Sequence, residues 1–343
     1  MMTKYTCTCG GPIFFANFEC LQCHNAVGRC SACDYLATFI ETNEGLHCSR
    51  CFTEVRACAN RENSICNVFA PLDHDSHLCP YCQTTKVVPN LEKPENVTNW
   101  RRLESAKRRL LLQLKQLCLP PFAMDMSLNK PLHFLFLEDE ITPTEIIRHY
   151  TGHREGDITI NIAEADSTFR ESTRVRFGEP QRTLIGHMRH EIGHYLDYCF
   201  SGTEAFAGFP EVFGDPSAQD YAAAQQVYYS KGPPSGWQKS HTSAYATMHP
   251  SEDFAETVNL YLDLMAIADT AAEFGVAGIQ FNPETEIGDL VPKVLELAVL
   301  ITEFNFDMGL GALLPESVSD AVMKKLSFVH QLQQSALSGV NSI

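Results

Sequence analysis

The stretch RTLIGHMRHEIGHYLDY, Arg182–Tyr198, contains the sequence H-E-x-x-H, in which His190 and His194 enclose Glu191. Its apolar residues recur every three or four positions, a spacing that predicts an α-helix. Residues four apart share one face of a helix, so both imidazoles can reach one metal ion, while Glu191 is turned about 100° away. Gly193 costs about 1 kcal/mol relative to alanine inside a helix, so we expect another element to approach closely there. The stretch therefore predicts a helix that carries two metal ligands.

A metal held by two histidines needs a further protein ligand, and the segment SAYATMHPSEDFAETVNLYL at 243–262 offers acidic residues. Glu252 and Glu256 lie four apart and share a helical face, whereas Asp253 points elsewhere. One glutamate can bind the metal while the other accepts a hydrogen bond from a ligand histidine. The residues alone leave open which is which. A favourable interaction of an acidic first turn with the helix dipole is the simpler alternative.

Two imidazoles, a carboxylate and an adjacent glutamate are the groups that zinc hydrolases use. In such chemistry Glu191 acts as general base and then as general acid. Asp197 lies one helical turn after His194 and is a candidate to orient it, while His187 is expected at the rim of the cleft. The alternative is a non-catalytic zinc scaffold. Glu191 argues against that alternative, because a structural zinc site needs no base.

Cysteine is concentrated at the N-terminus, where twelve of the 14 cysteines lie. Four pairs have the C-x-x-C spacing, which lets one turn present two thiolates to the same ion, and twelve cysteines complete three four-thiolate zinc sites. Spacing alone also leaves open an interleaved pairing, iron–sulfur ligation, and haem attachment at the C-x-x-C-H sequence that begins at Cys20. Sequential pairing gives the groups Cys7, Cys9, Cys20 and Cys23; Cys30, Cys33, Cys48 and Cys51; and Cys58, Cys66, Cys79 and Cys82.

The composition limits the class of protein. The chain has 343 residues, of which 44% are hydrophobic and 20% charged, as is typical of a globular protein with more than one domain. Its net charge is −16, and residues 1–90 hold six Lys/Arg against eight Asp/Glu, so nucleic-acid binding is not expected. We call the cysteine-rich residues 1–90 the head, and we expect it to bind a protein partner or to pack against the rest of the chain. The N-terminus lacks the features of a secretory signal and no apolar run is long enough to cross a membrane, so we expect a cytoplasmic protein.

A connector separates two domains. The segment WRRLESAKRRLLLQLKQLCLPP at 100–121 has leucines at helical spacing and six Lys/Arg against one Glu. We expect a solvated helix that packs on an acidic protein, with an anionic partner as the alternative. We place a zinc-ribbon domain at 1–90, the connector helix at 91–121 and a second domain at 122–343.

The second domain is expected to be α+β, because strand patterns precede a series of helical patterns. The runs LHFLFL, Leu132–Leu137, and DITINIA, Asp157–Ala163, predict strands, and the alternating isoleucines of the latter predict one buried face. Helical patterns follow near 181–199, 217–230, 250–272, 290–305 and 318–335.

Several segments resemble one known family. RTLIGHMRHEIGHYLDY, FGDPSAQDYAAA, GPPSGWQ, SAYATMHPSEDFAET and the tail around EFNFDMGL resemble the bacterial zinc-binding metallopeptidases that carry an N-terminal zinc ribbon. The resemblance covers nearly the whole chain. It implies a zincin-like metallopeptidase domain of the gluzincin type, with one catalytic zinc, that hydrolyses a peptide or amide bond in a peptide or protein substrate. On this basis we expect DITINIA to be an edge strand that pairs with an extended peptide.

A narrower resemblance assigns roles within the site. The segment from Tyr245 to Glu256 is similar to the glutamate helix of the anthrax lethal factor type of gluzincin. It implies that Glu252 is the third zinc ligand, that Glu256 supports a ligand histidine and that Tyr245 stabilises the oxyanion. The head departs from the family, because its first cysteine pair is C-x-C and residues 30–51 form an additional zinc unit.

Overall fold

The computed structural model describes residues 5–142, 144–170, 183–312 and 314–338. The chain folds as α+β, as its sequence predicts, with a cysteine-rich β-region first and a mainly helical region after it. Among the helices of the described ranges, none is both long and apolar enough to cross a membrane.

Short strands form the N-terminal region. A hairpin joins β1 (Tyr5–Thr6) to β2 (Pro12–Ile13). The strands that follow are β3 (Val27–Cys30), β4 (Tyr35–Thr42), β5 (Gly45–Cys48), β6 (Val55–Ala57) and β7 (Val68–Pro71). They form one sheet in the order β5-β4-β3-β7-β6, antiparallel except between β3 and β7. Since β1 to β5 bury only two small apolar clusters, this region needs further cross-links, which its cysteines can supply through metal.

The second sheet begins before the expected domain boundary at residue 90. Its strands are β8 (Thr85–Val87), β9 (His133–Leu137), β12 (Gly152–Arg154) and β13 (Asp157–Asn161), and a separate hairpin joins β10 (Glu140–Ile141) to β11 (Ile146–Ile147). The order is β12-β13-β9-β8, with β8 and β13 parallel to β9 and β12 antiparallel to β13. The short helix Pro80–Gln83 leads directly into β8, so the head and the second region share this junction.

The first five residues of DITINIA form β13, while Ile162 and Ala163 begin a 3-10 helix, and the prediction that the run forms an edge is wrong. It pairs with β9 on one side and with β12 on the other. The chain turns back between these strands at Glu155 and Gly156, both with positive φ, and a Cβ on Gly156 would lie 2.1 Å from the Pro131 carbonyl oxygen. Alternation of apolar and polar residues indicates one buried face of a strand, whether the strand pairs with one neighbour or with two. It therefore could not predict that β12 pairs with β13. The edge strand on this side is β12.

The connector helix, Pro94–Gln116, joins the two regions through its charges as well as its leucines. Arg108 donates a hydrogen bond of 2.7 Å to the carbonyl of Ile65, and Lys115 pairs with Asp34 at 2.9 Å. The prediction of a solvated face holds only in part, because Arg101, Arg102 and Lys115 are exposed while Lys107 and Arg108 are buried. The helix lies between two parts of the chain, and its cations bind both. This internal use argues against a separate anionic partner. The other basic residues of the helix also contact the chain: Arg101, Arg102, Lys107 and Arg109.

The third cysteine group belongs to the main core of the protein. Cys58, Cys66, Cys79 and Cys82 are each at most 2% exposed and lie in the same apolar cluster as Trp100 of the connector helix. The other two groups belong to separate small clusters. A metal ion in the third group would therefore support the core of the second region as well as the head.

Helices occur at all five helical patterns of the second region. They are the histidine helix (Leu184–Phe200), the wall helix (Tyr221–Lys231), the glutamate helix (Pro250–Phe274), Ile287–Asp307 and Asp320–Ser338, with a short helix at Phe209–Phe213. The three named helices begin at side chains that accept a hydrogen bond from a backbone N–H of the first turn: Thr183, Asp220 and His249. These caps fix where the site helices start.

The histidine and glutamate helices meet at Gly193. A Cβ built on Gly193 would lie 2.5 Å from the Cα of Ala255 and 3.0 Å from its carbonyl oxygen. Packed atoms do not approach so closely, so only glycine allows the two backbones this separation. The close approach expected at Gly193 is confirmed. It brings His190 and His194 next to Glu252.

Gly193→Ala is expected to lower the free energy of unfolding by about 1–3 kcal/mol, because the new methyl group overlaps the backbone of Ala255. Gly288→Ala is the matched control, since Gly288 is also helical but a Cβ there meets nothing within 4 Å. That variant should be neutral or slightly stabilised. Denaturant unfolding measures both changes. Equal stability of the two variants would contradict this description of the helix contact.

Candidate metal centre and its cleft

Three side chains from two helices meet at one point. The Nε2 atoms of His190 and His194 lie 3.2 Å apart. Glu252 Oε2 lies 3.1 Å from the His190 nitrogen, and Oε1 lies 3.4 Å from the His194 nitrogen. Ligand atoms about 2.0–2.1 Å from a tetrahedral zinc are about 3.3 Å from one another. The spacing of the three side chains therefore fits a zinc ion.

The hydrogen bonds around the meeting point of the three side chains orient their hydrogen-bond acceptor atoms toward that point. His190 Nδ1 lies 2.6 Å from Glu256 Oε1, so the ring donates its proton there and directs the lone pair of Nε2 toward Glu252. Glu252 Oε2 is buried and accepts no hydrogen bond from the described residues. Converging buried acceptors need a cation, which is either a metal ion or an additional proton.

The electrostatics of the site also favour a cation. Burial alone would lower the pKa of His190, but the carboxylates of Glu252 and Glu256 outweigh it and raise that pKa well above its ordinary value. Burial would likewise raise the pKa of Glu252, yet the imidazoles of His190 and His194 beside it hold that pKa well below its ordinary value. The site thus stabilises positive charge beside an ionised carboxylate, as a divalent ion requires.

The geometry separates the two glutamates that the residues alone left open. Glu252 faces both imidazoles, whereas Glu256 bonds to Nδ1 of His190 on the other side of the ring. A hydrogen bond at Nδ1 fixes the tautomer and the orientation of a ligand histidine. The resemblance to the anthrax lethal factor type implies the same arrangement, in which Glu252 binds the metal and Glu256 supports a ligand histidine.

Glu191 lies beside these side chains and lines the same cleft. The residue is 4% exposed, and its Oε2 atom is buried and accepts no hydrogen bond from the described residues. A buried carboxylate oxygen is costly unless something pairs with it. Its place next to His190 suits it to exchange a proton with a group that reacts at the metal site.

Two tyrosines reach the site, and the sequence identified only one. Tyr245, expected as the oxyanion donor, lines the cleft with its ring centroid 6.1 Å from that of His190. Tyr221, the first residue of the wall helix, donates a hydrogen bond of 2.7 Å to Glu252 Oε1. Burial raises the pKa of both hydroxyls, so both stay protonated and able to donate. The signal for Tyr221 was its place in FGDPSAQDYAAA, a segment that carries the family resemblance.

Buried ion pairs hold the site helices in place. Asp253 of the glutamate helix pairs with Lys325 of the C-terminal helix at 2.5 Å. Arg189 of the histidine helix is buried and binds both Asp263 of the glutamate helix and Gln113 of the connector helix. The position of each of the three converging side chains is therefore set by packing on at least one further helix.

Asp197 and His187 line the cleft but do not join the three converging side chains. Asp197, predicted to orient His194, accepts a hydrogen bond of 2.8 Å from Ser201 instead. Its short side chain reaches the hydroxyl one turn further along the same helix more easily than an imidazole that points into the site. His187 lies 3.4 Å from Glu164, in agreement with the rim position expected for it.

The metal site opens into a cleft of about 1530 Å³. One side of the cleft carries residues of β12 and of the segment before it, including Arg148 and Arg154. Another side is formed by the wall helix and the segment that leads to Tyr245. Small-molecule pockets typically enclose about 300–1000 Å³, so this cleft has room for a larger ligand.

The cysteines of the head form three groups, and within each group the sulfurs lie within 4.8 Å of one another. The sulfurs of Cys7 and Cys23 are 3.5 Å apart, and those of Cys33 and Cys48 are 4.0 Å apart. Thiolates about 2.3 Å from a tetrahedral zinc are about 3.8 Å from one another, whereas a disulfide measures about 2.0 Å. The groups are those of the sequential pairing: Cys7, Cys9, Cys20 and Cys23; Cys30, Cys33, Cys48 and Cys51; and Cys58, Cys66, Cys79 and Cys82.

Backbone amides favour the thiolate form of these cysteines. The amide of Cys79 donates to the sulfur of Cys58 at 3.3 Å. Hydrogen bonds from the amides of Cys23 and Gln22 lower the pKa of Cys20 to about 6. Because Cys20 and Cys23 share their group with two further thiols, the set fits a metal ion better than haem attachment. Four thiolates leave no coordination position for a substrate, so a metal here would be structural.

Tyr221→Phe is expected to weaken zinc binding at the histidine site by about 10–100-fold, the usual cost of losing a hydrogen bond to a metal ligand. Titration against a competing chelator measures the affinity. Tyr229→Phe is the matched control, because it removes a hydroxyl from the same helix and the same cleft but leaves the Tyr221–Glu252 bond intact. Wild-type affinity in Tyr221→Phe would show that the hydroxyl does not hold Glu252 for the metal.

The chain was compared with known proteins. Residues 96–332 match the family described as "Putative zinc-binding metallo-peptidase", and residues 4–93 match a zinc-ribbon domain. One protein of Mycobacterium bovis and two of Mycobacterium tuberculosis, each described as uncharacterized, are 36% identical to the chain over 341 residues, which cover 96% of this chain and 94% of the relative. No solved structure matches the chain. The chain therefore belongs to the zinc-binding metallo-peptidase family and carries an N-terminal zinc-ribbon domain.

Proposed function

We propose that the protein is a zinc-dependent peptidase whose catalytic zinc is held by His190, His194 and Glu252. The convergence of two imidazole nitrogens and a carboxylate, 3.1 to 3.4 Å apart, supports this most strongly. Glu191 lies beside them in a large cleft. We also propose that the H-E-x-x-H helix and the glutamate helix are those of a gluzincin, with the glutamate-helix arrangement of the anthrax lethal factor type.

Zinc bound at this site would act as a Lewis acid toward a water molecule and toward the scissile carbonyl. In our proposal Glu191 takes a proton from the attacking water on Oε2 and later delivers it to the leaving nitrogen. Glu256 keeps the proton of His190 on Nδ1, so that Nε2 stays available as a ligand. The side chains of this chain thus supply the proton transfers and the orientation of the ligands.

The two tyrosines have separate proposed roles. Tyr245 donates a hydrogen bond to the oxygen of the scissile carbonyl as negative charge develops on it. Tyr221 orients Glu252 through the bond at 2.7 Å. A raised pKa suits both roles, since each needs a protonated hydroxyl at neutral pH.

We propose a polypeptide rather than a small amide as the substrate. A cleft of about 1530 Å³ is larger than a small ligand needs. The edge strand β12, whose residues line the cleft, can pair with an extended peptide through its backbone, which is the role that we had expected for DITINIA. The backbone of the substrate would then lie along Gly152–Arg154.

For the head we propose one structural zinc in each cysteine group, and hence four zinc ions per chain. Cytoplasmic location is part of this proposal, because free thiolates persist in a reducing compartment. The head also exposes large apolar side chains, among them Leu21 and Phe52, which are 74% and 77% exposed. With a charge of −2 over residues 1–90, such a surface suits a protein partner better than a nucleic acid.

The competing function is a non-catalytic zinc scaffold. A structural site gains nothing from Glu191, whose buried oxygen is not satisfied by the described residues. A large cleft at the metal is equally unnecessary for a scaffold. These two features make hydrolysis the better proposal.

Glu191→Gln is expected to lower the rate of peptide hydrolysis by at least about 10²-fold while zinc content stays unchanged, because Glu191 is a base and not a ligand. Incubation of the zinc-loaded protein with a mixed peptide library, followed by mass spectrometry, measures cleavage. Asp197→Asn is the control, since it changes a carboxylate on the same helix whose partner is Ser201. No cleavage by the zinc-loaded wild type would favour the scaffold, whereas wild-type cleavage by Glu191→Gln would show that Glu191 is not the base.

A further inference from the structure

The cleft differs in charge between its two sides. On the side of β12 it is lined by ionisable residues that include Asp139, Arg148, Arg154 and Glu155. Between residues 221 and 245, all of which the structure describes, the lining residues include no Asp, Glu, Lys, Arg or His. This second side presents aromatic rings with no charged residue of that segment among them, whereas rings on the β12 side, such as Tyr150, lie among charged side chains. The two sides therefore suit different parts of a bound chain.

Rings on the uncharged side form a continuous row that ends at the metal site. The ring centroids of Tyr229 and Tyr228 are 5.6 Å apart, and those of Tyr228 and Tyr245 are also 5.6 Å apart. The Tyr245 centroid lies 6.1 Å from that of His190. Tyr229 is 55% exposed and stands at the outer end. We call Tyr228, Tyr229 and Tyr245 the aromatic row.

The wall helix that carries most of this row contributes little to the core. None of its residues, Tyr221–Lys231, is buried. A second cavity of about 310 Å³ adjoins the same helix, and its lining includes Val227, which is absent from the cleft, and Tyr228, which lines both. Exposed aromatic side chains grouped beside a cleft mark a binding surface more often than a packing defect. The ring of Tyr229, which is 55% exposed, is therefore open to a ligand in the cleft.

We propose that the aromatic row binds a large apolar or aromatic side chain of the polypeptide substrate, at a residue next to the cleaved bond. The position follows from the contact between Tyr245 and His190, which places the inner end of the row at the metal site. Contacts between aromatic rings contribute binding free energy in addition to that gained from the apolar area buried, so the row favours aromatic side chains. A charged side chain would lose its hydration on this surface without gaining a countercharge. The proposal rests on the proposed peptidase function.

The test begins with cleavage of a mixed peptide library by the zinc-loaded full-length protein and identification of the cut sites by mass spectrometry. We expect large apolar residues to be enriched next to the cut. Two synthetic peptides that differ at the enriched position, with Phe or Ala, should then differ by at least about 10-fold in kcat/KM. In Tyr229→Ala this ratio should fall by about 3–10-fold. Val227→Ala is the control, because Val227 faces the second cavity and should leave the ratio unchanged.

Cleavage without a preference for large apolar residues, or an unchanged ratio in Tyr229→Ala, would overturn the inference and leave the proposed function intact. Loss of folding is a poor alternative explanation, since the wall helix buries no residue. If the zinc-loaded wild type cleaves no peptide, the proposed function fails. In that case two peptides that differ only by Phe or Ala at one position are bound to Glu191→Gln, and fluorescence anisotropy measures their affinities and decides the inference by itself. Tighter binding of the Phe peptide would support it, and equal binding would overturn it.

Discussion

The backbone contact between Gly193 and Ala255 is the constraint on which the site depends. It sets the separation of two long helices, and that separation decides whether Glu252 can reach the imidazoles of His190 and His194. A metal site of this kind tolerates errors of only a few tenths of an ångström in its ligand positions. The cost of glycine inside a helix is small compared with the loss of that geometry. Gly193 thus has a low helix propensity but is favoured at this position, because it allows the histidine and glutamate helices to pack closely.

The same two helices are held by partners that extend through the whole molecule. Arg189 links the histidine helix to the connector helix through Gln113, and Lys325 links the glutamate helix to the C-terminal helix through Asp253. The connector helix in turn packs against the third cysteine group in the main core. The head and the metal centre therefore share one apolar core, and a metal in that cysteine group would stabilise both.

Local patterns in the sequence predicted the parts of the site that lie close together along the chain. The spacing of His190 and His194 places them on one helical face without any knowledge of the fold. The roles of Glu252 and Glu256 could not be separated in this way, because both lie on the same face and only the path of the other helix distinguishes them. Tyr221 lies 31 residues before its partner Glu252, and no local periodicity reports a contact over that distance.

Other errors in the prediction have the same physical origin. The solvation of the connector helix and the number of neighbours of DITINIA depend on tertiary contacts that alternation and helical spacing do not encode. The spacing of the cysteines succeeded because five of the six thiol pairs are presented by one short turn, so that sequence neighbours are also neighbours in space. Cys58 and Cys66, eight residues apart, are the exception. What is local in the chain was predictable, and what depends on the path of distant segments was not.

The central claim is that the histidine site holds a metal of its own, separate from those of the head. Native mass spectrometry of the zinc-loaded wild type and of His190→Ala tests it most directly, because it counts ions per chain without needing a substrate. We predict four zinc ions in the wild type and three in His190→Ala. Three ions in both proteins would contradict the claim, since the histidine site would then bind no zinc.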